Sequence, residues 1–148
     1  MSDSKLCTQS MDFAVSIIQL VKQLKAKRES IISNQIGRSG TSIGANIREA
    51  QYAHGKADFI AKLQIALKEA NETGYWLELL YRTGYLTESE FKTLDSACTS
   101  IRVMLITSVK TAKDNRKYVR KDALFPKSRS FNRLLQAKST CESKCFLQ

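Results

Sequence analysis

Apolar residues recur along this chain at intervals of three and four, the period that gathers them on one face of an α-helix. Phe13, Ile17, Leu20 and Leu24, flanked by Ala14, Ile18 and Val21, predict a first helix over about residues 10–27, behind a flexible lead-in at 1–9. Lys25, Lys27 and Arg28 suit its C-terminus, where cations meet the negative end of the helix dipole. A short link through Glu29 and Ser30 follows. Ile32, Ile36, Ile43 and Ile47 then predict a second helix to about Ala53, with Gly55, which lacks a Cβ, as the terminating residue.

The third helix has the cleanest pattern: Phe59, Leu63, Ala66, Ala70, Thr73, Leu77 and Leu80 alternate in steps of four and three. Beside that stripe lie Ile65, Glu69, Glu72, Trp76 and Leu79, which mix bulky apolar groups with carboxylates. This second face reads either as a subunit contact or as a core stripe widened by Trp76. Thr83, Gly84 and Tyr85 end the helix. Thr87 to Glu90 reads T-x-x-E, a capping box in which each side chain satisfies the other's free backbone N–H, with Leu86 and Phe91 at the spacing of a hydrophobic staple. Phe91, Leu94, Cys98, Ile101, Leu105, Ser108 and Ala112 predict helix four, and make Cys98 a small core residue.

Four amphipathic helices joined by short links predict an all-α fold, an antiparallel up-down-up-down four-helix bundle over residues 10–113. The periodicity decays beyond Asp114, so 114–148 reads as a basic, largely irregular tail with room for a short helix near 130–138. Composition agrees: 148 residues at 43% apolar suffice for one core, and one proline with six glycines leaves little for a turn-dense β protein.

Helix two departs from the pattern through its small residues Gly37, Ser39, Gly40, Ser42, Gly44 and Ala45. Each glycine in a helix costs roughly 1 kcal/mol against alanine, a cost offset where a neighbouring backbone packs closely. Gly37, Gly40 and Gly44 are therefore assigned to close packing inside one bundle.

The formal charge of +10 is uneven. Residues 110–148 hold eleven Lys and Arg against three Asp and Glu, while residues 1–109 are nearly balanced, at thirteen against eleven. A basic tail on a balanced body points to an anionic partner, nucleic acid or a membrane surface, or else to a solvated tail that aids solubility. The candidate phosphate-binding residues are Arg38, Arg48, Arg116, Lys117, Arg120, Lys121, Lys127, Arg129 and Arg133, with Tyr118 and Phe125 as base-stacking groups.

Catalytic motifs are not visible. His54, the one histidine, stands beside Gly55 as a surface or capping residue, and Cys7, Cys98, Cys141 and Cys145 lack paired zinc-ligand spacing. No nucleophile elbow, phosphate-cradling glycine loop or paired acid motif stands out. The expectation is a protein that is not an enzyme and takes no cofactor or metal. No secretory signal is visible at the start, and the apolar stretch from Phe13 to Val21 is interrupted by Ser16 and Gln19, so a cytoplasmic protein with free thiols and no membrane span is expected. Cys145 to Gln148 loosely matches a prenylation box, a four-residue pattern that also arises by chance.

The run 35–50, QIGRSGTSIGANIREA, then Asp58-Phe59 and the run 65–77, IALKEANETGYWL, resemble the bacterial four-helix-bundle proteins, also called 23S rRNA intervening-sequence proteins. The resemblance spans roughly residues 10–113 and omits the tail. It implies a homo-oligomer, a pentamer with a funnel-like centre, in which Gly40, Gly44, Glu69, Glu72 and Trp76 serve the subunit interface. It also implies an association with RNA or DNA. Relatives of this architecture are accessory factors to the reverse transcriptases of diversity-generating retroelements, which makes a reverse transcriptase an implied partner. Many members read Asn-Ile-Ala-Glu where this chain has Asn46-Ile47-Arg48-Glu49, so Arg48 adds charge on or near an exposed face.

Overall fold

A computed structural model describes residues 4–114. Four helices account for nearly all of them: α1 (Lys5–Ala26), α2 (Ile31–Ala50), α3 (Lys56–Arg82) and α4 (Glu88–Asp114), with no strand among the described residues. The tail and its expected short helix lie outside the described residues.

The helices form a bundle in which α2–α3 packs most extensively, and the α1–α4 seam is looser than those of α3–α4 and α1–α2. Its core is the predicted set: Phe13, Ile17, Leu20 and Leu24 from α1, Ile36, Ile43 and Ile47 from α2, Leu63, Ala66, Ala70, Thr73, Leu77 and Leu80 from α3, and Cys98, Ile101 and Leu105 from α4 are all buried. Phe59, Phe91, Leu94 and Trp76 are half-buried against it. Ala112 is buried at the end of the α4 stripe as expected, but Val109 takes the place expected for Ser108, which is only half-buried. One polar pair lies inside: the Thr73 hydroxyl donates to Ser39 Oγ at 2.9 Å between α3 and α2.

The ends of the helices differ from expectation at two places. α1 starts at Lys5, within the stretch to residue 9 expected to be a flexible lead-in, and the Ser4 hydroxyl accepts the Cys7 N–H at 3.3 Å as its N-cap. Cys7 and Ser10 are buried and carry the core stripe one turn back; their small, polar character hid the period. Gly55 does not terminate α2. That helix ends at Ala50, and Gly55 is the extended N-cap of α3, at φ −171°. The Asp58 carboxylate reaches back to accept the His54 N–H at 3.1 Å.

Elsewhere the local chemistry follows the sequence. Thr87 N–H donates to Glu90 Oε2 at 2.9 Å and Glu90 N–H to Thr87 Oγ1 at 3.3 Å, the reciprocal bonds of the capping box. Gly84 takes φ +77° after α3, where the Tyr85 N–H returns to the Leu80 carbonyl at 2.9 Å. Arg28 adopts the same left-handed conformation after α1, at φ +61°, with the Glu29 N–H on the Leu24 carbonyl at 3.0 Å. Glu29 then turns its carboxylate onto the Ile32 and Ser33 N–H groups at 2.9 and 2.7 Å, and so caps α2 in place of Ser30.

The glycines of α2 face α1 of the same chain. A Cβ on Gly40 would lie 2.9 Å from both Cγ atoms of Ile17, whereas one on Gly44 would meet Ser10 at an ordinary 3.5 Å. Close approach is thus obligatory at Gly40 and only permitted at Gly44. Replacing Gly44 by alanine should stabilise the bundle by up to about 1 kcal/mol through helix propensity. Gly40→Ala should destabilise it, because overpacking a branched side chain held near its own backbone costs roughly 1–3 kcal/mol. Thermal melts followed by circular dichroism check this; a Gly40→Ala protein melting at or above Gly44→Ala would contradict it.

Candidate functional site

Two groups of charged residues stand out on the bundle, and they differ in how far the protein neutralises its own charge. The first lies along the α2–α3 face. Glu69 and Glu72, one turn apart on α3, both meet Arg38 of α2: its guanidinium donates to Glu69 Oε2 at 3.3 Å and to Glu72 Oε1. Trp76 Nε1–H donates to the same Glu72 oxygen at 3.3 Å, and the Tyr75 ring meets Trp76 edge-on with centroids 4.9 Å apart. Further along, Lys62 Nζ donates to Glu49 Oε2 at 2.6 Å.

This arrangement sets the protonation of its members. The hydrogen bond from Arg38 is the largest influence on the Glu72 carboxyl; helped by a smaller one from Trp76, it outweighs desolvation and holds the group below the usual carboxylate range. The hydrogen bond to Glu72 and its charge in turn raise the Arg38 pKa. Arg38, expected to meet nucleic-acid phosphates, is thus paired to two carboxylates of its own chain. Of the residues expected at a subunit contact, Glu69 and Glu72 bind that same arginine, while Trp76 donates to Glu72 and widens the core stripe. The signal available in sequence was the complementarity between one cation on α2 and the acidic stripe on α3; which faces meet was not.

The second group lies at one end of the bundle. Gln51 Nε2 donates to Cys7 Sγ at 3.0 Å and Lys56 Nζ to the Lys113 carbonyl at 3.1 Å, so the start of α1, the end of α2, the start of α3 and the end of α4 converge there. Arg48 is exposed in the last turn of α2, and its guanidinium has no carboxylate partner among the described residues. Lys5, Lys56, Lys110 and Lys113 stand at the same end. The acids there are Glu49, engaged by Lys62, Asp58, which caps His54, and Asp114. At the opposite end Lys27 Nζ donates to the Tyr85 carbonyl at 3.3 Å. Sequence reading selected Arg48 but not the lysines. They lie at the ends of three different helices, and periodicity does not say which helix ends converge.

Other chemistry is sparse. Burial pushes the Cys98 thiol up to about 11, and it donates to the Ala70 carbonyl at 3.3 Å, a core thiol without nucleophilic character at neutral pH. The clefts along the α1–α4 seam are lined by Gln9, Asp12, Ser16, Gln19, Thr93 and Ser96. No helix among the described residues is long and apolar enough to cross a membrane. Arg116, Lys117, Tyr118, Arg120, Lys121, Phe125, Lys127, Arg129 and Arg133 lie outside the described residues, as does the Cys145 box.

The fold and these two groups define an all-α four-helix bundle, neutralised along its α2–α3 face and basic at one end. The chain belongs to the 23S rRNA-intervening sequence protein family, which it matches over residues 2–107. It is similar, at 53% identity and a TM-score of 0.71, to the crystal structure of a protein of unknown function from the S23 ribosomal protein family of Bacteroides thetaiotaomicron. That match covers 72% of this chain and 99% of the other. Comparison with curated proteins gives no match. The family match begins before residue 10, in keeping with the earlier start of α1.

Because folding lowers the Glu72 pKa, this carboxylate contributes stability that is fully present above its unfolded value, roughly 4.3, and lost as pH falls through the lower folded value. Glu72→Gln should therefore be less stable than the parent at about pH 6 and closer to it at about pH 3, since glutamine still accepts from Trp76. Urea midpoints at the two pH values measure this; a gap that stays constant or widens on acidification would refute the pairing.

Proposed function

We propose that this chain is a non-enzymatic, homo-oligomeric accessory protein, a pentamer, that binds RNA or DNA electrostatically and serves as a partner of a reverse transcriptase of the diversity-generating kind. The observation that carries the reading is the contrast between Arg38, satisfied by two internal carboxylates, and Arg48, exposed at the bundle end where Lys5, Lys110 and Lys113 gather. The chain from residue 110 onward holds eleven basic groups against three acidic ones. Neutralising phosphates releases counterions, so repetition of this charge in an oligomer gives tight, salt-sensitive binding with little sequence preference. Family membership is the ground for the oligomer and for the polymerase partner.

One observation favours a second reading, a protein-interaction scaffold without direct nucleic-acid binding. Met11, Val15 and Ile18 form an exposed apolar stripe on α1, the kind of surface that proteins cover with other proteins. Deleting residues 115–148 separates the two readings: loss of nucleic-acid binding supports the first, and loss of protein capture with unchanged nucleic-acid binding supports the second.

Filter-binding titrations test the leading reading. Affinity should fall by roughly a thousandfold between about 50 and 200 mM salt if some six phosphates of a duplex are engaged. Arg48→Ala should lower the salt slope by about one, whereas Arg38→Ala should leave it unchanged. Absence of binding at low salt would end the proposal.

A further inference from the structure

The aromatic residues of the described bundle have partners, with one conspicuous exception. Tyr81 stacks on Phe91 with centroids 4.7 Å apart, Tyr75 meets Trp76, and Phe13, Phe59 and Tyr85 are at least half-buried. Tyr52 is 81% exposed, the most exposed large apolar side chain of the described residues, and it makes no ring contact or side-chain hydrogen bond among them. Its backbone is nevertheless fixed. Tyr52 N–H donates to the Glu49 carbonyl at 3.0 Å, between the Gln51 N–H on Arg48 at 3.1 Å and the Ala53 N–H on Ala50 at 3.2 Å. The turn that ends α2 therefore holds the ring in solvent on a short, ordered stretch of backbone.

That ring stands at the basic end of the bundle. Arg48 is one helical turn before it, Gln51 next to it bridges to the start of α1, and Lys56 ties the start of α3 to the end of α4. The nearest acids, Glu49 and Asp58, are engaged by Lys62 and by the His54 N–H, which leaves Asp114 as the remaining carboxylate of that end. An exposed aromatic face among cations suits a ligand that is itself flat and apolar on one surface and anionic along its edge. Nucleotides have that form. In a duplex each base face is already covered by its neighbours, so an aromatic side chain can stack only on an unpaired base.

We infer that the Tyr52 ring is a stacking platform for an unpaired base, with Arg48, Lys56 and Lys113 on the flanking phosphates, so that this end of the bundle prefers single-stranded to double-stranded nucleic acid. This inference rests on the nucleic-acid reading above and narrows it to a substrate class and a residue. Charge alone supplies affinity for any polyanion; the ring supplies the discrimination between strands.

Fluorescence anisotropy with the full chain tests it, using labelled oligouridine, labelled oligothymidine and an RNA duplex of the same length at one salt concentration. Wild type should bind the single strands more tightly than the duplex. Tyr52→Ala should weaken single-strand binding by about tenfold, the equivalent of one lost stacking contact, with duplex affinity unchanged; Tyr52→Trp should keep the preference. The oligothymidine arm shows whether a 2′-hydroxyl is needed. Because Tyr52 is exposed, unchanged melting of both variants confirms that only the surface was altered. No binding to any probe would overturn the general nucleic-acid reading. Binding without strand preference, or a Tyr52→Ala loss that is nil or equal on all probes, would overturn this inference alone, as would a Tyr52 requirement confined to capture of a protein.

Discussion

The close passage of α1 over α2 at Ile17 and Gly40 is the constraint on which the rest of the bundle depends. Nothing larger than hydrogen fits at position 40 without displacing a branched side chain anchored near its own backbone. With α1 so close on one side, α2 presents its other side to α3, where Ser39, Ala66, Ala70 and Thr73 are also small and fully buried. Narrow residues on α2 and α3 thus permit dense packing along their seam, and dispersion over many close contacts offsets what the glycines cost as helix formers. Among the larger aromatic residues Phe13 is buried, while Phe59, Trp76 and Phe91 are left at the margins, half-buried.

Because the core period is so regular, the four helices and most buried residues were legible from spacing alone. The failures have physical causes. Ser10 and Cys7 are core residues with the composition of a loop, so the first turns of α1 looked like a lead-in. Gly55 signalled an end correctly but belonged to the beginning of the next helix, because an extended glycine is as suitable before a helix as a left-handed one is after it. The capping box at Thr87 and Glu90 was readable because its chemistry is confined to four consecutive residues. The candidate site was less legible. Its charges lie on different helices, and whether a cation is available to a ligand depends on what faces it across an interhelical seam.

Arg38 and Arg48 illustrate that dependence. Both are arginines on one helix with exposed side chains, and sequence treats them alike. Arg38 faces two carboxylates of α3, one of them also held by Trp76, so its charge serves the α2–α3 seam. Arg48 stands where α2 ends and no acidic stripe continues opposite it. A basic composition therefore overstates the cationic surface at one position and describes it correctly at the other.

The buried hydroxyls of Ser39 and Thr73 have a consequence for which structure the chain adopts. A seam built from heptad-spaced small and apolar residues is tolerant of sliding: a shift of one helix by a full repeat again sets apolar groups against apolar groups. Two hydroxyls placed opposite each other match at a single offset. Every shifted alternative would lose the bond between them, worth roughly 1 kcal/mol net, and leave each hydroxyl only a carbonyl of its own helix, Glu69 for Thr73 and Ile36 for Ser39. Their value lies less in strengthening the native bundle than in raising its competitors, so that a near-repetitive sequence has one alignment of α2 and α3.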